Sequence, residues 1–373
     1  MMSTIIVQPV RSKKERDEFI KFPWKIYKGN TAWVPPLLMD RRKLIDTEKN
    51  PFYKHSEIEL FMARKNGEIV GRIAAIVNHN HNQEHNEKVG FFGFYEAINE
   101  QSVTDALMKE AESWLRAKGM NSVRGPANPS VNDEYGLLID AFDKPPVILM
   151  TYNPEYYPKL LEKAGFSKAK DLYAYLLNQK TVYSERFEHV AEIVRQKSNL
   201  TFRSLNMKEY RNEVARIRTI YNGAWQYNWG AVPMTDEEFD ALATDLKPVV
   251  VPELIIMAEY NGELIGFALS IPDLNMALKY NKNGYLLPGL YCMYRYKKYI
   301  NTVRVIVLGV LPEYQKTGAG SVLFYETALR AKKLGYDFGE ASWVLEDNVM
   351  MNRAAEMMNA ERYKTYRIYE KKL

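Results

Sequence analysis

The chain has 373 residues, 46% hydrophobic and 26% charged, ordinary globular values that exclude a disordered or low-complexity chain; at roughly 150 residues per domain, two domains are favoured over one. Lys+Arg exceed Asp+Glu by 51 − 46 = +5. That mild excess is spread along the chain, which speaks against nucleic acid as a partner and suits an anionic small ligand.

The single cysteine, Cys292, excludes an intrachain disulfide and a CxxC zinc site, and a small buried hydrophobe is its expected role. No basic and apolar leader is read at the start, and no apolar run nears the ~18 residues of a membrane span. The expectation is a cytoplasmic protein. Aromatics reach 13%, with 26 Tyr, which hints at pockets or interfaces.

In chain order, the first strong pattern is Met62-Ala63-Arg64-Lys65-Asn66-Gly67-Glu68-Ile69-Val70-Gly71. An Asn-Gly pair between two apolar runs predicts a β-hairpin, because both central residues of a type I′ turn need positive φ. The polar run His79-Asn80-His81-Asn82-Gln83-Glu84-His85 reads as a loop, and no metal is expected there. A strand is predicted around 88–96. An amphipathic helix follows, carrying Val103, Leu107, Ala111 and Trp114 and stopping near Gly119. The turn-rich stretch 124–136, with Asn132 and Asp133 inside it, reads as a surface loop or as part of an acceptor site. A strand at 171–177 and a polar junction at 178–184 end this half.

The same order then returns. A helix at 185–197 and a strand at 200–205 lead to a helix that ends in Trp225-Gln226-Tyr227-Asn228-Trp229-Gly230. Trp225, Tyr227, Asn228 and Trp229 suit a substrate wall; buried anchors under a loop are the plain alternative. Met257-Ala258-Glu259-Tyr260-Asn261-Gly262-Glu263-Leu264-Ile265-Gly266 repeats the hairpin at an offset of 261 − 66 = 195. Segment 285–299 interleaves five tyrosines with Leu, Arg and Lys. It suits a lid, a dimer contact or a membrane-surface contact.

The run 302–311 is nearly all apolar and β-branched, as a strand covered on both faces should be. It enters Pro312-Glu313-Tyr314-Gln315-Lys316-Thr317-Gly318-Ala319-Gly320 and then a helix. A Gly-rich turn that opens a helix aims backbone N–H groups at one point, and Gly318 and Gly320 leave room for a phosphate. The turn fits neither GxGxxG nor GxxxxGK[ST]; an ordinary strand–turn–helix corner is the plain alternative. A strand at 338–345, a short helix and a Tyr-rich strand at 365–369 complete the half. The repeat predicts two α/β domains, 1–182 and 183–373. At the matching place the first reads Ala97-Ile98-Asn99-Glu100-Gln101-Ser102-Val103-Thr104, without glycine.

The residues Val310 to Gly320, ending Gln315-Lys316-Thr317-Gly318-Ala319-Gly320, resemble the acyl-CoA-binding motif of the GNAT N-acetyltransferases, Q/R-x-x-G-x-G/A after a long fourth strand. The order of elements after it is similar too. As a whole the chain resembles the bacterial two-domain GNAT proteins of the YghO-like kind, a type that also resembles bacterial ceramide synthases. The resemblance implies two tandem GNAT folds with mixed α/β sheets, the first degenerate and either structural or on the acceptor side. It implies direct transfer of an acetyl or longer acyl group from acetyl-CoA or acyl-CoA to an amine, small-molecule or lipid, with no metal.

On the same resemblance, Gln315, Lys316, Thr317, Gly318, Ala319 and Gly320 would hold the pyrophosphate. Leu308 and Val310 would pair with the pantetheine where their strand splays from its neighbour, and the Val310 N–H would polarise the thioester carbonyl. Asn348 would touch the cofactor, or else simply cap a helix. Glu340, a carboxylate inside an apolar strand, is the candidate general base, against a structural carboxylate. The family often carries a Tyr general acid seven residues after that Asn; here the position is Ala355. That departure leaves a non-catalytic acyl-CoA-binding protein as a rival. A tandem Fem-type aminoacyl transferase ranks lower, since no long charged helical-hairpin arm is read. A long acyl chain or acceptor would place the enzyme peripherally at the inner membrane through 285–299. The oligomeric state is left open.

Overall fold

The computed structural model describes residues 4–182, 185–197, 199–226 and 228–373. Its strands are β1 (Ile5–Pro9), β2 (Ser56–Lys65), β3 (Glu68–Asn78), β4 (Val89–Ala97), β5 (Ser122–Gly125), β6 (Ala127–Asn128), β7 (Glu134–Tyr135), β8 (Leu137–Leu138), β9 (Ser167–Asn178), β10 (Leu200–Ser204), β11 (Ile255–Tyr260), β12 (Glu263–Pro272), β13 (Thr302–Val310), β14 (Phe338–Leu345) and β15 (Glu361–Lys372). Its α-helices are α1 (Lys13–Lys21), α2 (Pro23–Ile26), α3 (Leu38–Leu44), α4 (His79–His85), α5 (Gln101–Ala117), α6 (Tyr157–Lys163), α7 (Glu185–Lys197), α8 (Tyr210–Trp225), α9 (Asp236–Leu246), α10 (Asn275–Leu278), α11 (Leu286–Tyr296), α12 (Ala319–Lys333) and α13 (Val349–Met357).

The chain forms two compact units. One holds Met1–Asp171, Ala277–Arg295 and Thr365–Leu373; the other holds Leu172–Met276 and Tyr296–Lys364.

In the first unit β1, β2, β3 and β4 pair antiparallel in that order, β4 runs parallel to β5, and β5 pairs antiparallel with the end of β15. The β2–β3 hairpin turns at Asn66 (φ 52) and Gly67 (φ 83), the left-handed pair that Asn-Gly favours. Helix α5 buries Val103, Leu107, Met108, Ala111 and Leu115 against Ile73, Ala75, Val77 and Phe92. These side chains recur every three or four residues, so one stripe faces the sheet.

In the second unit the order is β9-β14-β13-β12-β11-β10, antiparallel except for the parallel β13–β14 pair. Asn261 (φ 51) and Gly262 (φ 84) make the second hairpin turn. Alternation along β11 sends Ile256 and Ala258 to the core under α12, and Ile255 and Met257 to the core with Ile220 of α8. Both faces are covered, which is why this sheet reads as continuous apolar runs.

One expected loop is a helix. Residues 79–85 form α4, because Asn78 caps one end, its side chain accepting from the His81 N–H at 3.1 Å, and Asn86 in the left-handed region (φ 51) closes the other.

Candidate active site

Strands β13 and β14 pair from Thr302↔Phe338 to Val305↔Ala341 and then part, although they run on to Val310 and Leu345. On its other edge β13 stays with β12 as far as Gly266↔Val310, with a bulge near Ile306. The Leu311 N–H donates to the Ile265 carbonyl at 2.9 Å. Since successive residues of a strand point their amides to opposite edges, the Gly309 N–H also faces β12. The N–H groups of Leu308 and Val310 therefore face the β14 edge, beyond the last β13–β14 pair. A backbone donor without a strand partner calls for another acceptor. The fork offers two.

Past the fork, a 3-10 turn at Pro312–Thr317 leads to Gly318 (φ 84), which opens α12. Thr317 ties the turn: its hydroxyl donates to the Tyr314 carbonyl at 2.6 Å and accepts from the Ala319 N–H at 3.2 Å. Gly318 is required twice, by its positive φ and by Val194, whose Cγ2 would lie 2.8 Å from a Cβ. Gly320 has open space around it, its nearest neighbour being Val310 Cγ2 at 4.0 Å. No side chain at Gly318 caps α12, and its first turn carries no acid. The positive end of the helix thus meets solvent beside exposed Gln315 and Lys316. Ala319 is fully buried with Leu323, and its N–H is taken up by the Thr317 hydroxyl.

Trp225 lies over β13 at the fork. Its indole fills the space that a Cβ on Gly309 would need, and it stacks on Tyr221 at 5.2 Å between ring centroids. Gly309 is thus a site residue that the reading of the sequence passes over; a glycine inside a β-branched strand is the signal for such a close approach. Asn228 closes a turn, donating its N–H to the Trp225 carbonyl at 2.9 Å, and Trp229 is half-buried. Tyr227 lies outside the described residues.

Glu340 is fully buried, opposite Arg304. That is 310 − 304 = 6 residues back from Val310, about 20 Å of strand. Its Oε2 accepts from the Tyr363 hydroxyl and lies 3.7 Å from Lys364 Nζ, while its Oε1 has no hydrogen-bond partner. Lys364 is also buried. Asn348 caps α13, accepting from the Met351 N–H at 3.1 Å. Ala355 is buried against Tyr175, Ala341 and Val344, and the Tyr175 hydroxyl donates to Asn352 Oδ1 at 2.8 Å. The structure therefore joins Leu308, Val310, residues 315–320 and Trp225 at one fork and turn, with Glu340 farther down the sheet. Asn132 and Asp133 belong to the first unit. There the Ser130 hydroxyl donates to Asp133 Oδ2 at 2.6 Å and accepts from the Asn132 N–H at 3.1 Å.

The first unit has a fork of its own, which its chain fills. Strands β4 and β5 pair from Val89↔Ser122 to Phe91↔Arg124 and then part. Asn128 of β6 accepts from the Phe94 N–H at 2.6 Å, and Ala127 leaves no room for a Cβ on Gly93. Helix α5 opens at Glu100, which makes no side-chain cap; its carboxylate pairs with Lys65 at 2.8 Å and accepts from the Ser102 hydroxyl at 2.7 Å.

The model of the Acetyltransferase (GNAT) family matches residues 214–357, from within α8 to the end of α13. The bacterial ceramide synthase of Caulobacter vibrioides is 36% identical over 381 residues, covering 98% of this chain and 97% of that protein. Protein YghO of Escherichia coli is 34% identical over 376 residues, covering 99% and 95%. A tandem GNAT protein from the clavulanic acid biosynthesis pathway, solved without AcCoA, superposes with a TM-score of 0.57 at 10% identity, over 99% of this chain and 98% of that one. That likeness is one of fold. With full-length relatives at this identity, and with the fork and glycine turn in place, the chain belongs to the GNAT family in its tandem form and is an N-acyltransferase that moves an acyl group to an amine.

Proposed function

We propose that the chain moves a fatty acyl group from a coenzyme A thioester to the amine of a long-chain amino alcohol. The observation that carries the donor is the fork: two inward N–H groups leading to a glycine turn at the start of α12. Those residues fit coenzyme A, since a strand-like pantetheine needs amide partners and a pyrophosphate needs N–H groups without side chains in the way. The long-chain acceptor is carried over from the ceramide synthase at 36% identity, a ceramide being an amide of that kind. Coenzyme A thioesters are cytosolic, so this reading places the chain there; among the described residues no helix is long and apolar enough to cross a membrane.

In this reading residues 315–320 hold the pyrophosphate through their backbone, while Leu308 and Val310 align the pantetheine and the thioester. As the amine attacks, negative charge grows on the carbonyl oxygen, and a fixed N–H at that point stabilises it by about 3 kcal/mol. Val310 is the donor we assign. Alignment of amine and thioester supplies much of the remaining rate. The amine must also lose a proton, its free pKa being near 10. We assign Glu340 as the base; about 20 Å of strand separates it from Val310, so the proton reaches it by relay, the last step running from the half-buried Tyr363 hydroxyl to Oε2. Asn348 keeps the turn before α13 in place beside the cofactor. Trp225, Asn228 and Trp229 wall the acceptor. Asn132 and Asp133 are the acceptor-side candidates of the first unit, whose own fork is filled.

Thiol release with a panel of amines and acyl-CoA chain lengths tests the reaction. Long-chain acyl-CoA with a long-chain amino alcohol should turn over fastest; preference for acetyl-CoA and a small soluble amine overturns the long-chain assignment. Glu340→Gln and Tyr363→Phe should both lower kcat while leaving acyl-CoA affinity unchanged. Wild-type kcat in both variants would make Glu340 structural only.

A further inference from the structure

Away from the fork, the surface that stands out is helix α11. Leu287, Leu290, Tyr291 and Tyr294 are spaced i, i+3, i+4, i+7 and share one helix face. All four are exposed, Leu287 at 77% and Tyr294 at 85%, and Tyr280, Tyr285 and Leu286 beside them are exposed as well. The opposite face is seated: Cys292 is buried, and Leu37 Cδ2 would lie 2.9 Å from a Cβ on Gly289.

The helix is also firmly mounted. Trp24 Nε1 donates to the Lys282 carbonyl at 2.8 Å, the Leu38 N–H to the Gly284 carbonyl at 2.8 Å, and Asn281 Nδ2 to the Tyr285 carbonyl at 3.0 Å. Gly284 (φ +70) is packed so tightly that a Cβ would come within 2.6 Å of the Pro36 carbonyl. A fixed ridge of leucine and tyrosine facing water marks a contact surface.

Charge selects the partner. Residues 274–303 contain no Asp or Glu, but they contain Lys279, Lys282, Arg295, Lys297 and Lys298. Those five cations equal the net +5 of the whole chain, so the remainder carries 5 − 5 = 0. A second copy joined face to face would bring like charges together. An anionic bilayer meets both features at once: the apolar side chains enter the boundary of the acyl chains, tyrosines sit at headgroup level, and the cations meet lipid charge. We propose that α11 is a docking ridge for an anionic membrane surface. This goes beyond the acyltransferase reading, since exposure and charge carry it without reference to the fork.

Co-sedimentation of the full chain with vesicles tests it, using phosphatidylcholine alone and phosphatidylcholine mixed with phosphatidylglycerol. The chain should pellet with the anionic vesicles and be released at ~1 M salt, where screening shortens to about 3 Å. Leu287→Ser/Leu290→Ser/Tyr294→Ser, and separately Lys282→Glu/Lys297→Glu/Lys298→Glu, should each cut partitioning about tenfold or more while keeping the wild-type melting temperature and acyl-CoA affinity. Wild type remaining in the supernatant overturns the proposal, as does equal pelleting of the serine variant. A dimer that the serine variant converts to monomer, without vesicle binding by wild type, would make a second copy the occupant. Gly320→Glu should lose acyl-CoA and still bind vesicles, so a failure of the donor site is seen separately.

Discussion

Gly309 lacks a side chain because Trp225 occupies the place where one would go. Gly309→Ala must therefore shift the indole or the strand, at a cost of about 1–3 kcal/mol. The displaced strand carries the Leu308 and Val310 amides, so the KM for acyl-CoA should rise along with the fall in melting temperature; a stable variant with unchanged KM refutes the close approach. Buried pairing can be read at Lys364 and Glu340. Lys364→Met leaves a buried carboxylate without its cation and should cost about 3 kcal/mol, much of it regained in Lys364→Met/Glu340→Gln. His81 gives a pH signature. Burial, then the charges of His85 and Arg124, hold its imidazole at about 4, below the usual 6.5. Between those values the unfolded chain takes up a proton that the folded chain refuses, so stability falls as pH drops from 6.5 to 4 and then levels. His81→Gln should remove that part of the slope, and identical melting-temperature profiles for variant and wild type would disprove it.

At the scale of elements, what was legible in the sequence was what neighbouring residues decide. Asn66-Gly67 and Asn261-Gly262 demanded left-handed turns and have them. The stripe from Val103 to Leu115 demanded a sheet to cover it. Two helices hid because their signals lie at their ends. Helix α4 has no apolar period, only Asn78 and Asn86 as caps. Helix α11 carries Pro288 in its first turn, where a missing N–H costs nothing. The fork was implied only by the family resemblance, since no local pattern says where two strands stop pairing. Its turn can be tested element against ligand. Gly318→Ala places a side chain at φ 84 against Val194 and should cost about 1–2 kcal/mol of stability. Gly320→Glu has room to fold, yet puts a negative charge where the pyrophosphate would lie. Calorimetry should find its acyl-CoA affinity abolished at an unchanged melting temperature; full affinity in that variant removes the donor site from this turn.

For the whole molecule, a repeat in the sequence shows two copies of one element order but not which sheet receives each last strand. The second unit takes β9 from the end of the first half, pairing it with β14 from Phe338↔Asn178 to Leu345↔Leu172. The first unit takes the end of β15, pairing it with β5 from Tyr369↔Gly125 to Lys372↔Ser122. A chain cut at the repeat boundary would therefore leave each piece with an open sheet edge. Fragment 183–373 lacks Leu172, Ala174 and Tyr175, all buried in the second unit. Losing the burial of the leucine and the tyrosine alone removes about 4 kcal/mol, a large share of the 5–15 kcal/mol that typically holds a domain together. The bare edge of β14 would also invite aggregation. Expressed alone, 183–373 should be insoluble or melt without cooperativity, whereas 165–373, which restores β9, should melt more cooperatively than 183–373. Co-expression of 1–182 with 183–373 should return a complex with acyl-CoA affinity close to that of the intact chain. A stable, cofactor-binding 183–373 fragment would show that the strand from the first half is dispensable to the fork.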